Sequence, residues 1–364
     1  MSKMHRGGLT DKRARGSAIS IPVTSAARSV WWGRGFLALT ALLGAFGAGW
    51  LVWRSGWPAI AASLERGGIG LLWLIPLRIV TVAVEARGWY VLLRARRQAP
   101  WAVLIWLAMV RDAINTFLPV ARVGGEFAAI RALWLRGVKI STASAAIIVE
   151  TSVTLVLQVL LTLAGIIVLL PDIGATFLIP ELSAVLVVAA LMVGAFLMVQ
   201  IRIGLVAAFD RTLGRVLRFM GYAGHSGLPG LDQKVLLLYR RGGLLFRCAG
   251  WQILGFVGGA AEIGLMAHLM GVSLDLSQIF VLESLIQAVH SVSFMVPGSL
   301  GVQEAGFVLL AGPLGLSADV ALSLALARRM RQVVMGLPIL GSWQWFEWRH
   351  RGLSSVPPVV VSRS

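Results

Sequence analysis

Several ionisable residues of this 364-residue sequence lie inside or beside long apolar segments, where a charge is costly. Glu126 follows a pair of glycines, and Glu150 and Arg328 each lie eight residues into a later apolar segment. An ionised side chain at the centre of a bilayer carries an insertion penalty of about 2.5–3.5 kcal/mol, so such residues pair with one another or face water. These residues are therefore candidates for a polar site that binds a lipid headgroup or an ion.

Two motifs rich in proline and glycine carry this chemistry at a spacing of 178 residues. One reads LPVARVGGE and ends at Glu126, and the other reads VPGSLGVQE and ends at Glu304. The pairs at this spacing are Pro119 and Pro297, Glu126 and Glu304, Gly137 and Gly315, and Glu150 and Arg328. We interpret the agreement as an internal duplication. Because proline and glycine interrupt a helix and lipid cannot satisfy the freed backbone groups, each motif predicts the turn of a buried helical hairpin.

The candidate site joins polar residues from both halves of the duplication. The residues assigned to headgroup binding or gating are Asn115, Arg122, Glu126, Arg131, Glu150, Gln303, Glu304 and Arg328. The residues assigned to forming the hairpins are Pro119, Gly124, Gly125, Pro297, Gly298 and Gly301. An alternative is that Arg122 and Glu126 only hydrogen-bond each other and cap their hairpin. The equivalent positions of Glu150 and Arg328 predict an ion pair between them, either structural or gating.

Other charged residues leave two interpretations open. Arg78 and Glu85 are seven residues apart on one helix face, which predicts a polar network. Glu283 and His290 have the same spacing and could form a proton relay, although a satisfied polar pair inside a bundle is the simpler interpretation. Arg111, with the neighbouring Asp112, has the same ambiguity.

The composition indicates an all-α polytopic membrane protein. The sequence is 57% hydrophobic and 13% charged, whereas soluble domains are about a quarter charged. This excludes a soluble enzyme and a disordered chain, and a single cysteine, Cys248, excludes an internal disulfide or a cysteine-based metal site. No nucleotide-binding loop, zinc-protease motif or nucleophile elbow occurs, so we expect no enzymatic activity and no cofactor.

Basic clusters set the predicted topology, because they gather on the cytoplasmic side. The net charge of +17 lies in tails and loops between apolar segments, so no nucleic-acid partner is expected. Placing every cluster inside gives an inverted repeat with about six crossings and two re-entrant hairpins, with both termini in the cytoplasm. The predicted regions are a disordered basic tail (1–34), one transmembrane domain (35–346) and a second tail (347–364). The repeat halves span 35–170 and 181–346, with a basic loop at 202–241.

The motifs resemble the transmembrane region of lysylphosphatidylglycerol synthases and their stand-alone, flippase-like relatives. The resemblance rests on NTFLPVARVGGEFAAIRAL, VPGSLGVQEAGFVLL and ALARRMRQ, and it extends over residues 35–346. The segment ESLIQAVHSVSFMVPGSLGVQEAGFVLL looks most like the branch associated with hopanoid biosynthesis. Other branches often have an Arg–Asp pair where this sequence has Glu150 and Thr151, which leaves an equivalent role there open.

The resemblance implies lipid translocation in a bacterial inner membrane, with hopanoids as the cargo of this branch. The implied partners are membrane lipids, either hopanoid or phospholipid, together with proteins of lipid biosynthesis or export. The chain ends 18 residues after residue 346, so the aminoacyl-transfer domain of bifunctional relatives is not expected. A membrane-embedded enzyme that modifies lipids and a scaffold for biosynthetic enzymes are the alternatives. The oligomeric state is left open.

Overall fold

The computed structural model describes residues 67–94, 97–117, 124–173, 230–292 and 302–350. Within these ranges the chain is helical and contains no strand. The helices are α1 (Leu74–Leu93, preceded by a 3-10 turn at Gly68–Trp73), α2 (Trp101–Phe117), α3 (Gly124–Leu135), α4 (Ile140–Ile173), α5 (Leu231–Tyr239), α6 (Gly242–Leu269), α7 (Leu276–Val292), α8 (Val302–Ala311) and α9 (Ala318–Arg349). The all-α prediction is confirmed for this part of the chain.

Among the described residues, three helical stretches are long and apolar enough to cross a membrane. They are Gly68–Leu93, Ile140–Pro171 and Gly242–Leu269. Helix α9 has 32 residues, or about 48 Å at the usual rise, but its middle carries three arginines. Two further apolar segments of the sequence, residues 36–53 and 182–201, are also expected to cross the membrane. Both lie outside the described residues, as do residues 1–34 and 351–364. The total number of crossings therefore stays a prediction.

Helices α2 and α3 fold back on each other. The side-chain oxygen of Asn115 on α2 accepts a hydrogen bond from the backbone N–H of Gly125 at 2.9 Å, which satisfies an open donor in the first turn of α3. A Cβ on Gly125 would lie 2.4 Å from the backbone oxygen of Arg111, so only glycine allows this approach. The described part of α3, Gly124–Leu135, returns along α2 from this contact.

Helices α7 and α8 pair in the same manner at the other end of the bundle. Gly306 of α8 faces Ile286 and Val289 of α7, where an added Cβ would come within 3.2–3.4 Å of their side chains. The open end of this pair is joined by a hydrogen bond of 2.9 Å from the amide of Gln278 to the carbonyl of Leu314.

The two helix pairs open toward opposite ends of the bundle, as their contacts with α9 demonstrate. The open end of α2–α3 lies beside the end of α9, where Trp106 donates to Ser342 at 2.9 Å. The α7–α8 pair lies beside the beginning of α9, because Arg328 reaches Glu283 at 3.2 Å. The broken ends of both pairs therefore point toward the middle of α9.

Charge separates the two ends of the bundle. Helices α1 and α6 are antiparallel, since Gly88 faces Cys248 and Gly70 faces Leu269. The junctions at the α2–α3 end carry Arg94, Arg97, Arg136, Lys139, Lys234, Arg240, Arg241 and Arg349. There Lys234 donates to the hydroxyls of Ser141 and Thr142 at 2.6 and 2.8 Å, and partial burial, together with Lys139, lowers its pKa.

The opposite end of the described bundle is acidic. It carries Asp275 before α7 and Asp319 at the start of α9. The contrast with the basic end follows the charge asymmetry that orients membrane proteins.

One turn recurs at the 178-residue spacing. Gly137 ends α3 with φ +87°, and Gly315 ends the α8 segment with φ +67°. The N–H of Val138 bonds the carbonyl of Leu133 at 3.0 Å, and at equivalent positions Leu316 bonds Ala311 at 2.8 Å. Both are glycine-terminated helix ends of the Schellman type.

One helix start after each of these turns follows the same spacing. Helix α4 begins at residue 140, and α9 begins at residue 318. The helix that follows each duplicated motif and its glycine turn thus begins at a matching place.

Candidate functional site

A polar cavity of about 340 Å³ lies between two apolar cores. One core joins α1, α2, α3 and α4 near the basic end, and the other joins α7, α8 and α9 near the acidic end. Every described helix except α5 contributes to the cavity wall. Its amide side chains are Asn115, Gln158, Gln252, Gln287, Gln303 and Gln332. Both helix pairs therefore contribute side chains to one polar space inside the bundle.

The cavity brings together most of the site residues that the sequence nominated and that the structure describes. Those on its wall are Asn115, Glu126, Glu150, Gln303 and Arg328. Arg131 and Glu304 do not line it and are engaged elsewhere. Arg122, Pro119, Pro297, Gly298 and Gly301 lie outside the described residues, whereas Gly124 and Gly125 form the first turn of α3. Residues predicted from the two halves thus converge on one space.

Arg111 holds the part of the cavity beneath the first helix pair. Its two terminal nitrogens donate to the carboxylate of Glu150 at 2.8 and 3.1 Å, and one of them also reaches Glu126 at 3.4 Å. Gln252 on α6 donates to the same Glu150 carboxylate at 3.1 Å. One guanidinium thereby ties α2 to both α3 and α4, and the paired geometry is the strong form of a charge-assisted hydrogen bond.

Arg78 makes a second network on the wall. It reaches Glu85 at 3.4 Å along α1 and Asp112 at 3.3 Å on α2. The predicted network of Arg78 and Glu85 is therefore confirmed. Gly255 on α6 packs on the Glu85 side chain, where a Cβ would lie 2.5 Å from its Cγ.

The arginines in the middle of α9 are each held by a carboxylate. Arg328 donates to Glu283 at 3.2 Å, and Arg329 donates to Glu304 at 2.8 and 3.0 Å. Arg331 contacts Glu262 of α6. These ion pairs explain how three cations in four residues can lie in one buried helix, because pairing offsets the cost of burial.

The predicted ion pair between Glu150 and Arg328 is wrong. Glu150 binds Arg111 and Gln252, while Arg328 binds Glu283. Equal positions in a repeat give two residues similar depth, but the direction of each side chain around its helix decides its partner. Glu150 therefore bonds with α2 and α6, and Arg328 bonds with α7.

Glu283 is fully buried, and its carboxylate accepts hydrogen bonds from two side chains. These are Arg328 and the amide of Gln287, which donates at 3.0 Å. His290 lies on the cavity wall one turn farther along α7. The ion pair of Glu283 was not anticipated, and it gives this carboxylate a structural partner within the bundle.

Arg131 lies at the basic end of the bundle. Its Nε donates to both carboxylate oxygens of Glu347, at 2.9 and 3.0 Å, and both side chains are buried. This contact joins α3 to the last turns of α9 across 216 residues of sequence. The geometry assigns this ion pair to packing of the first helix pair.

The glutamines are the functional candidates that sequence reasoning passed over. Gln158, Gln252, Gln287 and Gln332 all line the cavity, and Gln158 also donates to the carbonyl of Ser284 at 3.3 Å. Each of these glutamines lies in an apolar segment of the sequence, and an isolated amide in such a segment is the pattern by which they could have been found. Among the described residues, no group of three or more His, Cys, Asp or Glu side chains is arranged to hold a metal ion.

Comparison with known proteins gives the family. The family model described as "Lysylphosphatidylglycerol synthase TM region" matches residues 36–339. The chain therefore belongs to this family, which indicates a membrane protein of lipid metabolism or transport. No curated protein and no solved structure was found to match the chain.

Proposed function

We propose that this protein moves a membrane lipid across the bilayer, with the lipid headgroup in the polar cavity and the hydrocarbon part in the membrane. The observation that carries the proposal is the cavity itself. A space of about 340 Å³ lined by amides and ion pairs lies inside a bundle whose outer surface is apolar. A headgroup could exchange its water for these polar groups, which lowers the cost of its passage.

The chemistry of the wall suits reversible binding. Amide side chains both donate and accept hydrogen bonds, so they can follow a headgroup as it moves. The arginines at the wall are already held by carboxylates, as Arg111 is by Glu150. A headgroup is therefore held through several exchangeable hydrogen bonds, a condition for release as well as capture.

An inverted repeat is the architecture that we propose for this function. Transporters often combine two inverted halves with broken helices near the midplane. Three observations support this interpretation: the 178-residue offset between the starts of α4 and α9, the recurring glycine turn and the opposite openings of the two helix pairs. Two such halves could open the cavity alternately to either side.

The cargo and the location follow the proposed branch of the family. Hopanoid lipids are the proposed cargo, with phospholipids as the other class, and the bacterial inner membrane is the proposed location. The basic end of the bundle would face the cytoplasm, which places the tail after α9 on that side. Proteins of lipid biosynthesis or export are the proposed partners, and the chain itself would carry out no reaction.

Reconstitution into vesicles tests the proposal. The purified protein is placed in phosphatidylcholine vesicles with a trace of fluorescent lipid, and dithionite quenching reports how fast that lipid changes leaflet. We expect faster exchange than in empty vesicles, and a Glu150→Gln variant that inserts normally should lose most of the gain. Exchange no faster than in empty vesicles, for hopanoid and phospholipid probes alike, would contradict transport. Altered lipid composition in cells lacking the protein would instead favour a lipid-modifying enzyme.

A further inference from the structure

We infer that the lipid enters this protein sideways, through an apolar groove between the beginning of α1 and the middle of α9. The inference rests on the proposed function and adds a binding site for the hydrocarbon part of the lipid. The groove has a volume of about 350 Å³. Its lining consists of Gly68, Ile69, Leu71, Leu72, Leu74 and Ile75 at the beginning of α1, with Ala327, Met330, Arg331 and Val334 of α9. Apart from Arg331, the side chains that line it are all apolar.

Arg331 lies between the groove and the polar cavity. This residue lines both spaces, so the apolar groove adjoins the charged wall at its side chain. Within the described part of the chain, the guanidinium makes one contact, the ion pair of its Nε with Glu262. The terminal nitrogens are therefore available to hydrogen-bond an acceptor oxygen of a ligand.

One of these adjoining spaces is polar and the other is apolar, which matches an amphipathic molecule. A lipid has its hydrogen-bond acceptors where the headgroup meets the hydrocarbon part, and Arg331 lies at the corresponding boundary. The occupant is therefore a membrane lipid whose boundary oxygens, in a phosphate, an ester or a hydroxyl, face Arg331. The apolar part would lie along Ile69, Leu72 and Val334, whose side chains are all exposed in the structure.

One wall of the groove is an unusual local structure. The segment Gly68–Trp73 is a 3-10 turn that brings exposed Ile69 and Leu72 to the start of α1. A Cβ on Gly67 would lie 2.6 Å from the side chain of Leu71, so the chain enters this turn at close range. The turn thereby presents an apolar wall opposite α9.

A matched pair of valines tests the inference. Val334 lies in the groove and is 46% exposed, while Val257 on α6 is 54% exposed and lines neither the groove nor the cavity. Val334→Trp fills the groove, and Val257→Trp adds the same bulk to a surface elsewhere. Both positions are exposed, so both variants should fold.

The experiment uses phosphatidylcholine vesicles that contain a lipid with a diazirine in its acyl chain. After irradiation, mass spectrometry locates the labelled residues. We expect labelling within 69–75 and 327–334. Val334→Trp should reduce this labelling about tenfold, because the bulky side chain excludes from the groove about two methylenes of the lipid chain, whose burial is worth that factor in affinity. Val257→Trp should leave the labelling unchanged. Labelling spread evenly over exposed apolar residues, or insensitive to Val334→Trp, would overturn the inference.

Two probe headgroups identify the acceptor at Arg331. Phosphatidylglycerol presents a phosphate, whereas a glucosyl diacylglycerol presents only hydroxyls and esters. Stronger groove labelling by phosphatidylglycerol would identify the phosphate as the acceptor at Arg331, and stronger labelling by the glucosyl lipid would identify its hydroxyls. Equal labelling of the groove by both supports the shared ester oxygens.

Leaflet exchange measured in the same vesicles separates the two proposals. Groove labelling without exchange would keep this inference and contradict transport. Leaflet exchange that persists in Val334→Trp, without labelling of the groove, would keep the transport proposal and contradict entry through the groove.

Discussion

Arg111 on α2 donates a hydrogen bond from each of its two terminal nitrogens to the carboxylate of Glu150 on α4, at 2.8 and 3.1 Å. The contact fixes the inner end of α2 against the helix that follows the pair. Glu150 is 3% exposed, so its carboxylate is bound by Arg111 and Gln252 instead of by solvent. The wall of the cavity is thus a set of ion pairs that also hold the bundle together.

Breaking this ion pair should destabilise the fold. Glu150→Met leaves part of the Arg111 charge uncompensated, and we expect a loss of about 3 kcal/mol in the free energy of unfolding. Arg111→Met should cost at least as much, because two carboxylates then lose their cation. In a double-mutant cycle, measured by denaturant unfolding in mixed micelles, the coupling energy should be about 2–3 kcal/mol.

The control cycle combines Glu150→Met with Arg131→Met. Arg131 is bound to Glu347, so its coupling with Glu150 should stay below about 0.5 kcal/mol. Equal coupling in the two cycles would contradict a specific contact between Arg111 and Glu150.

The buried ion pair of Arg131 and Glu347 should matter for stability and not for transport. Glu347→Gln leaves a buried guanidinium without its carboxylate, at an expected cost of about 3–5 kcal/mol. The double change Arg131→Met and Glu347→Leu replaces the pair by apolar side chains and should restore most of that loss.

Leaflet exchange by the restored double variant decides the role of Arg131. The exchange rate should equal that of the unchanged protein once the fold is recovered. A folded double variant without exchange would place Arg131 in the transport path, as the sequence alone suggested.

Gly125 should be intolerant of any side chain. Its Cβ position lies 2.4 Å from the backbone oxygen of Arg111, so Gly125→Ala must push α3 away from α2. We expect a loss of about 1–3 kcal/mol in the free energy of unfolding. Gly250 on α6 has nothing within 4 Å of its Cβ position, and Gly250→Ala should stabilise by about 0.5–1 kcal/mol. Comparable effects at the two glycines would mean that α2 and α3 are not closely packed.

The equivalent glycines Gly137 and Gly315 should respond alike. Both have a positive φ and free space around them, so an alanine adds backbone strain of about 1–2 kcal/mol without a clash. Gly312→Ala, also in free space but without a positive φ, should change the free energy of unfolding much less. Unequal losses at Gly137 and Gly315, measured by unfolding in micelles, would weaken the case for equivalent turns.

The sequence predicted the helices and their interruptions well, because apolar length and helix-breaking residues are local signals. The chain reverses direction between α2 and α3 and between α7 and α8, the two places where proline and glycine indicated an interruption. The pairing of Arg78 with Glu85 was also readable, since residues seven apart share one helix face.

Partners on different helices could not be read from spacing. Glu150 and Arg328 have matching depth, but contacts depend on how each helix is rotated, and that is set by packing of the whole bundle. The same reason explains why the bond between Arg131 and Glu347, 216 residues apart, was not anticipated. The groove beside Arg331 likewise needs the relative position of α1 and α9.

The rate at which lipid changes leaflet in a cavity-filled variant tests the central claim most directly. Thr154 on α4 lines the cavity, and Leu160 on the same helix is exposed away from it. We predict that Thr154→Trp lowers the protein-dependent exchange rate about tenfold or more, while Leu160→Trp leaves it unchanged. Equal rates in the two folded variants would contradict a headgroup path through this cavity.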